Sequence, residues 1–374
     1  IDSLRSDWPA VNCVWIDDGA ARSGLELKEK NMETKMITID GSMGEGGGQV
    51  LRTALALSAC TGKAFTIEKI RAKRKKPGLM RQHLTCVHAA QEICSAEISG
   101  DAISSQQLVF KPGFVLADDY HFAVGSAGSA MLVLQTILPP LLLASHPSKV
   151  VIDGGTHNLL SPTFHYVSEV FLPMIRRFGC DCKIELLNWG FFPAGGGKVE
   201  LTINPVLKPA QLHLSRTGSL QTASVLAVVS KIPWEIADDE SKAMVKAARF
   251  LVTEKKAIVV ESPGPGNVAM IRLDFDHGSA MFTGFGELGV SRRKVAALAY
   301  TAANLFFASE AAVDEHLADQ ILIPMALAGG GSFTTTGPSL HTTTNLQVIE
   351  KFLPVKSSIS QISDNLWKIE IISL

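Results

Sequence analysis

The chain has no excess of charge of either sign. Its 35 Lys and Arg residues nearly cancel its 36 Asp and Glu residues, which gives a formal net charge of −1 at pH 7. A protein that coats nucleic acid normally carries a clear basic excess. Any polyanionic partner must therefore meet a local basic patch, and the basic residues of interest are those that cluster.

The chain also lacks a long hydrophobic run and a disulfide pattern. The strongest membrane candidate, residues 131–144, is too short to span a bilayer, and we expect Pro139 and Pro140 to break it. The six cysteines show no CxxC spacing. This pattern favours reduced thiols in a cytoplasmic protein over a disulfide framework.

What is present is a globular composition, with 46% hydrophobic and 19% charged residues in a chain of 374. That length is sufficient for two domains. Residues 1–35 lack clear periodicity, and we interpret them as an extension of open origin. We expect a large domain from residues 36–216 and 311–374, with a smaller α/β domain inserted at 217–310.

A faint internal repeat supports this division. A helix ending at 167–173 is followed by a strand at 183–186, and a helix ending at 348–354 is followed by a strand at 368–371. An earlier helix at 81–94 precedes a strand in the same order. The pattern predicts an α+β fold, in which the large domain contains three repeated units of one small sheet and two helices.

The most informative motif is Gly-Glu-Gly-Gly-Gly-Gln at residues 44–49, between a predicted strand at 36–40 and a predicted helix at 50–57. A strand, a glycine turn and a helix N-terminus together form an anion site. Because Glu45 would repel a bare phosphate, the site makes most sense with a divalent cation. The alternative is a purely structural turn, and the spacing fits neither GxGxxG nor a P-loop.

A second cluster is the basic run at residues 71–76, which Pro77 and Gly78 end. In an extended chain Arg71 and Arg74 would point to opposite faces, so both reach one phosphate only if the chain turns between them. A charged run of this kind is often only a solvated surface. Its closeness in sequence to the glycine motif favours phosphate binding.

A third cluster joins residues 315–320 to a hydroxyl-rich segment around His341. Thr or Asn side chains near His341 could orient one ring nitrogen and leave the other free. A neutral, positioned imidazole is a competent nucleophile. A structural or surface histidine is the alternative that spacing alone leaves open.

These motifs, taken in order, resemble the RNA 3′-terminal phosphate cyclases, and the bacterial, catalytically active branch is the most similar. The resemblance extends from about Met36 to the C-terminus. The matching segments lie at residues 44–52, 71–74, 76–79, 81–84, 125–129, 192–197, 317–320 and around His341.

The resemblance implies an ATP-dependent enzyme of the ligase class that acts on RNA with a 3′-terminal phosphate. In the family, a histidine attacks the α-phosphate of ATP, releases pyrophosphate and becomes adenylyl-histidine. AMP then passes to the RNA 3′-phosphate, and the neighbouring 2′-hydroxyl closes a 2′,3′-cyclic phosphate while AMP leaves.

The resemblance also implies roles for individual residues. His341 takes the place of the nucleophile, and Glu45 and Asp319 match the residues expected to hold Mg²⁺ or Mn²⁺. The residues that match the adenylate pocket are Gln135, Glu315, His316, Leu317, Ala318, Asp319 and Gln320. The residues that match phosphate-binding positions are Arg52, Arg71, Arg74 and Gln82.

The chain departs from the family's sequence pattern at two places, and two other functions remain as alternatives. Lys73 stands where the family more often has Gly, which adds positive charge, and Asn188-Trp189 stand where a basic residue or His is more usual. One rival is a non-enzymatic relative that acts in ribosome assembly, which lacks the nucleophilic histidine that His341 provides. The other is an enolpyruvyl transferase, which shares the repeated-unit architecture but needs no covalent histidine.

Overall fold

The computed structural model describes residues 36–374, so the predicted extension at residues 1–35 lies outside the described residues. Within 36–374 the strands form four sheets of four strands each, and helices connect them. The predicted α+β fold class is confirmed. The boundaries placed at 217 and 310 stay a prediction.

The first unit has a β-α-β-α-β-β order. Its strands are β1 Ile37–Asp40, β2 Phe65–Glu68, β3 Glu97–Ser99 and β4 Leu108–Lys111, and its helices are α1 Gln49–Thr61 and α2 Arg81–Cys94. The sheet order is β1-β2-β4-β3, with β1 parallel to β2 and the other pairs antiparallel. Because β1 and β2 are parallel, the loops that follow them leave the same edge of the sheet.

The second unit repeats this arrangement. Its elements are β5 Asp119–Ala123, α3 Ala130–Leu142, β6 Ser148–Gly154, α4 Phe164–Tyr166, a π-helical turn Val167–Phe171, α5 Leu172–Arg176, β7 Asp181–Asn188 and β8 Gly197–Asn204. The sheet order is β5-β6-β8-β7, again with one parallel pair.

The third unit is interrupted. It begins with β9 Leu212–Leu214, whose parallel neighbour β14 follows more than a hundred residues later. Its remaining elements are α8 Glu315–Gln320, α9 Leu322–Leu327, β14 Gly330–Thr335, α10 Leu340–Phe352, β15 Val355–Ser363 and β16 Leu366–Ser373. The order β9-β14-β16-β15 matches that of the other two units.

The interrupting segment has its own sheet and helices. They are β10 Leu220–Ser230, α6 Trp234–Ala247, β11 Glu254–Val259, β12 Gly266–Phe275, β13 Gly278–Phe285 and α7 Arg292–Ser309. The order β11-β10-β12-β13 differs from that of the three units. As the sequence predicts, Ser291 caps α7, and its hydroxyl accepts a hydrogen bond from the backbone N–H of Lys294.

The inserted sheet is buried on both faces. On one face, Ala223, Val225 and Ile271 pack in a hydrophobic cluster with residues of α6 and α7. On the other face, Val228 and Met270 belong to the main core, which spans the three units. Alternation along β10 and β12 therefore joins the insertion to the main core while giving it a core of its own.

Two local expectations were wrong. Helix α3 continues through Pro139 and Pro140, which lie in its last turn and are buried as apolar groups. Each proline removes one backbone N–H donor, and this loss is confined to the end of the helix. The helix expected to end at Pro173 continues to Arg176. A π-helical turn precedes that proline, and its wider turn accommodates a residue without an N–H.

None of the helices between residues 36 and 374 combines the length and apolar character that crossing a bilayer requires. The buried helix α3 shows why an apolar segment alone does not indicate a membrane span. It has 13 residues and packs against α1 and α2 in the core.

The inserted segment buries one carboxyl group, and this predicts a pH-dependent stability. Glu240 on α6 is fully buried, and one of its oxygens accepts a hydrogen bond of 2.8 Å from Asn267. Burial raises the pKa of Glu240 to about 7, against the opposing effects of Asn267 and Arg292. The folded state therefore holds the proton more tightly than the unfolded state, and stability falls as pH rises from about 4.5 through 7.

We expect Glu240→Gln to stabilise the protein at pH 8 by about 2–3 kcal/mol, and this gain should shrink towards zero near pH 4.5. Urea denaturation at several pH values measures the difference. The exposed Glu261→Gln serves as the control and should show no such trend. A gain from Glu240→Gln that does not change with pH would contradict the account.

Candidate active site

The glycine loop, residues 44–48, connects β1 to α1 at the edge where the basic run also begins. Gly44 has a φ of +54°, and a Cβ there would overlap the side chain of Thr344 on α10. The loop therefore needs glycine both for its left-handed backbone and for close contact with the third unit. It ends at the N-terminus of α1, where Gly48 provides no side-chain cap and the first backbone N–H groups stay available.

The last two glycines make room for polar side chains. A Cβ on Gly47 would collide with the carboxylate of Glu45 and approach Arg74, and one on Gly48 would collide with His83 and approach Arg52. One carboxylate, two guanidinium groups and one imidazole thus converge on the start of α1. These are the groups that the predicted anion site would use, its acidic residue included, and anion binding there stays a prediction.

His341 lies at the N-terminus of α10, where Ser339 is the N-cap and accepts a hydrogen bond from the backbone N–H of Thr342. Its Nδ1 contacts Oε1 of Gln49, and its Nε2 lies 3.2 Å from Oε2 of Glu45. The side chain is 45% exposed, so the ring reaches solvent at the mouth of the site.

The contacts of Gln49 determine which nitrogen of His341 carries hydrogen. The amide nitrogen of Gln49 donates to both carboxylate oxygens of Asp319, at 2.6 and 2.5 Å. Its other atom, Oε1, must therefore be the oxygen, which can only accept. His341 donates from Nδ1, and Nε2 is left to hold a lone pair or a second proton beside Glu45.

Asp319 anchors this chain of contacts from α8. Besides Gln49, the amide nitrogen of Asn345 donates to its carboxylate, and Asn345 in turn accepts a hydrogen bond from Thr53. Enclosure by the protein raises the pKa of Asp319, while His341, Gln49 and Asn345 oppose that rise. The network joins α1, α8 and α10 at one point.

The arginines predicted to bind phosphate occupy different environments. Arg74 donates to Glu45 at 2.8 Å, whereas Arg71 donates to the carbonyl oxygens of Lys76 and Gly78, each at 2.8 Å. Arg71 has a φ of +55°, and Arg74 N–H donates to its carbonyl. The turn that the sequence requires between them is present, but their guanidinium groups bind different partners.

His83 and Gln82 open α2 beside the glycine loop. The backbone N–H of Met80 donates to Nδ1 of His83, which leaves Nε2–H directed at Gly48. Burial, with the nearby charges of Arg52 and Arg71, lowers the pKa of His83 to about 3, so this imidazole is a neutral donor. Gln82 accepts a hydrogen bond of 2.9 Å from Ser129 N–H, which leaves its amide nitrogen as the donor.

The residues predicted for the adenylate pocket are only partly brought together. Gln135 on α3 donates to Gln320 on α8 at 2.7 Å. Leu317 and Ala318 are buried in the core, and the neighbouring Glu315 and His316 are exposed. The assignment of these residues to adenylate stays a prediction.

One family model and three related proteins are similar to this chain. The family model described as RNA 3′-terminal phosphate cyclase matches residues 43–359. A protein of that name from Koribacter versatilis is 48% identical over 333 residues, which cover 87% of this chain and 92% of the relative. Proteins of the same name from Ectopseudomonas mendocina and Salmonella enteritidis are 44% and 43% identical and cover 91% and 87% of this chain (99% and 95% of their own lengths).

The chain belongs to the RNA 3′-terminal phosphate cyclase family.

Within this cyclase fold, sequence reasoning missed the roles of Gln49 and His83. It expected a Thr or Asn side chain near His341 to orient the imidazole, but Gln49 contacts the ring and Asn345 instead donates to Asp319. Each of these residues lies inside or next to a motif, and this position is the signal in the sequence that could have identified it. Their roles depend on hydrogen bonds to residues as many as 292 positions away, which no local pattern contains.

The residues predicted to hold a metal flank His341 on opposite sides. Glu45 faces Nε2, while Asp319 connects to Nδ1 through Gln49. Residues 36–374 contain no group of three or more His, Cys, Asp and Glu side chains placed for a metal ion. Glu45 fits a cation that a bound phosphate would help to hold. Both oxygens of Asp319 already accept from amide groups.

The neutral state of His83 can be tested directly. We expect its imidazole to stay neutral, with hydrogen on Nε2, from pH 8 down to pH 5, because its pKa is about 3. An ordinary histidine would protonate near pH 6.5 in this range. Long-range ¹H–¹⁵N NMR spectra of ¹⁵N-labelled protein report both the tautomer and the charge. A shift to the doubly protonated pattern above pH 5 would contradict the account.

Proposed function

We propose that this protein converts the 3′-terminal phosphate of RNA to a 2′,3′-cyclic phosphate at the expense of ATP. The observation that carries the proposal is the setting of His341. Its Nδ1 is held by Gln49, and its Nε2 faces the glycine loop and the arginines of the first unit. Membership of the cyclase family supports the same reaction.

In the first step, Nε2 of His341 attacks the α-phosphorus of ATP. A nitrogen–phosphorus bond forms, the bond to the β-phosphate oxygen breaks, and pyrophosphate leaves. Positive charge develops on the imidazole as its lone pair is shared. The Nδ1–H donated to Gln49, with the Asp319 carboxylate behind it, stabilises that charge.

Before this step, Nε2 must be free of hydrogen and free of Glu45. In the structure the Glu45 carboxylate lies between His341, at 3.2 Å, and Arg74, at 2.8 Å. An incoming triphosphate offers Arg74 a stronger anionic partner. Glu45 is then the residue that would hold Mg²⁺ or Mn²⁺, which when bound would offset phosphate charge.

In the second step, an oxygen of the RNA 3′-phosphate attacks the adenylyl phosphorus and displaces His341. In the third, the 2′-hydroxyl oxygen attacks the 3′-phosphorus and closes the ring. The bond from that phosphorus to the bridging oxygen breaks, AMP leaves, and the hydroxyl proton passes to solvent. This hydroxyl is adjacent to its target, so its effective concentration is high. Arg52, the amide of Gln82 and Nε2–H of His83 are the donors that would hold the phosphate.

The experiment that tests this proposal is incubation with ATP labelled at the α-phosphate, a divalent cation and no RNA. We expect label on His341 through a phosphoramidate bond, which acid cleaves and base leaves intact. His341→Asn should abolish labelling, and His88→Asn, an exposed histidine that contacts Asp101, should retain it. Label that survives in His341→Asn, or that resists acid, would contradict the assignment and favour the non-enzymatic alternative.

A second prediction separates the two carboxylates. We expect Glu45→Gln to raise the cation concentration needed for self-adenylylation, because it removes the charge that would hold the metal. Asp319→Asn should lower the rate by about tenfold or more without raising that concentration, because it disturbs the amide that orients His341. Titration of each variant with Mg²⁺ and Mn²⁺ measures both effects. A raised requirement in Asp319→Asn would support the assignment of Asp319 to the metal and contradict a purely orienting role.

A further inference from the structure

Lys73 lies on the glycine loop and has no role in the reaction described above. Its side-chain carbons pack over Gly46, where Cδ is 3.1 Å from the position that a Cβ on Gly46 would occupy. Its ammonium group lies 3.3 Å from the carbonyl oxygen of Gly44. Lys73 therefore spans the loop directly over Glu45, the residue that contacts His341.

The Lys73 ammonium group has fewer and longer polar contacts than the guanidinium groups of Arg71 and Arg74. Arg74 is paired with a carboxylate, and Arg71 donates to two carbonyl oxygens. The Lys73 ammonium has three donors, and its one contact in the loop is long and exposed. The Lys73 ammonium group therefore has N–H donors that an anion could accept from, and it lies at the mouth of the proposed phosphate site.

The position of Lys73 favours RNA over ATP as that anion. The residues that match the adenylate pocket lie on the α8 side, where Asp319 meets Gln49 at the end of the loop. Lys73 is exposed and contacts Gly44 and Gly46, towards the other end of the loop. A polyanion that extends from the site into solvent can reach an exposed ammonium group at this place.

We propose that Lys73 binds a backbone phosphate of the RNA close to its 3′ end, and this inference rests on the proposed function. The interaction makes Lys73 a specificity residue for polynucleotide ends. It acts in the RNA steps and leaves the reaction of His341 with ATP unchanged.

The test uses Lys73→Met, which keeps the packing over Gly46 and removes the charge. We expect KM for a 3′-phosphorylated RNA oligonucleotide to rise about five- to tenfold, with self-adenylylation unchanged. The dependence of RNA affinity on salt should weaken by about 0.7 in the log–log slope. Lys73→Arg should restore most of the affinity, and Lys75→Met, which removes the same charge nearby, should have a smaller effect.

A chemical double-mutant cycle identifies the contacted phosphate. The three linkages nearest the 3′ end are each replaced in turn by a neutral methylphosphonate. At one of these linkages, the replacement should raise KM of the wild-type protein by about fivefold or more. The same replacement should not raise KM of Lys73→Met any further.

Three results would overturn the inference. They are additive losses at all three linkages, an equal loss in Lys75→Met, and loss of self-adenylylation in Lys73→Met. A wild-type protein that labels His341 but closes no cyclic phosphate would instead refute the proposed function.

Discussion

The site depends on one chain of hydrogen bonds, from the Asp319 carboxylate through the Gln49 amide to Nδ1 of His341. An amide can donate at one end and accept at the other, so the carboxylate fixes the amide and the amide fixes the imidazole tautomer. The lone pair of His341 is thereby directed away from the core and towards the glycine loop. Without Asp319, either the nitrogen or the oxygen of the Gln49 amide could contact the imidazole. The tautomer of His341, and with it the reactive nitrogen, would no longer be fixed.

The repeated architecture brings these residues together. The loops after β1 and β2 share an edge because those strands are parallel, so the glycine loop meets the basic run. The third unit packs α10 against α1 and supplies His341 and Asn345. The insertion lies between β9 and α8, so it lengthens the third unit without separating the helices that carry the site.

Local chemistry made part of this arrangement predictable. The strand, glycine turn and helix at residues 36–57 follow from glycine content and periodicity, and the turn between Arg71 and Arg74 follows from the need to bring them together. The repeat was visible because the sequences at residues 167–173 and 348–354 are alike, although the first helix continues past Pro173 to Arg176 and α10 ends at Phe352. The continuation of α3 through Pro139 was not predictable, since it depends on burial by α1 and α2. The partners of Gln49 and His83 are likewise set by tertiary contacts.

The central claim is that His341 reacts through Nε2 while Gln49 holds its Nδ1. NMR of the adenylylated protein, labelled with ¹⁵N at histidine, tests it most directly, because coupling between ³¹P and ¹⁵N shows which ring nitrogen bears AMP. The account predicts coupling to Nε2 and a proton retained on Nδ1. Coupling to Nδ1 would contradict it, since that nitrogen would then have to leave Gln49 before the reaction.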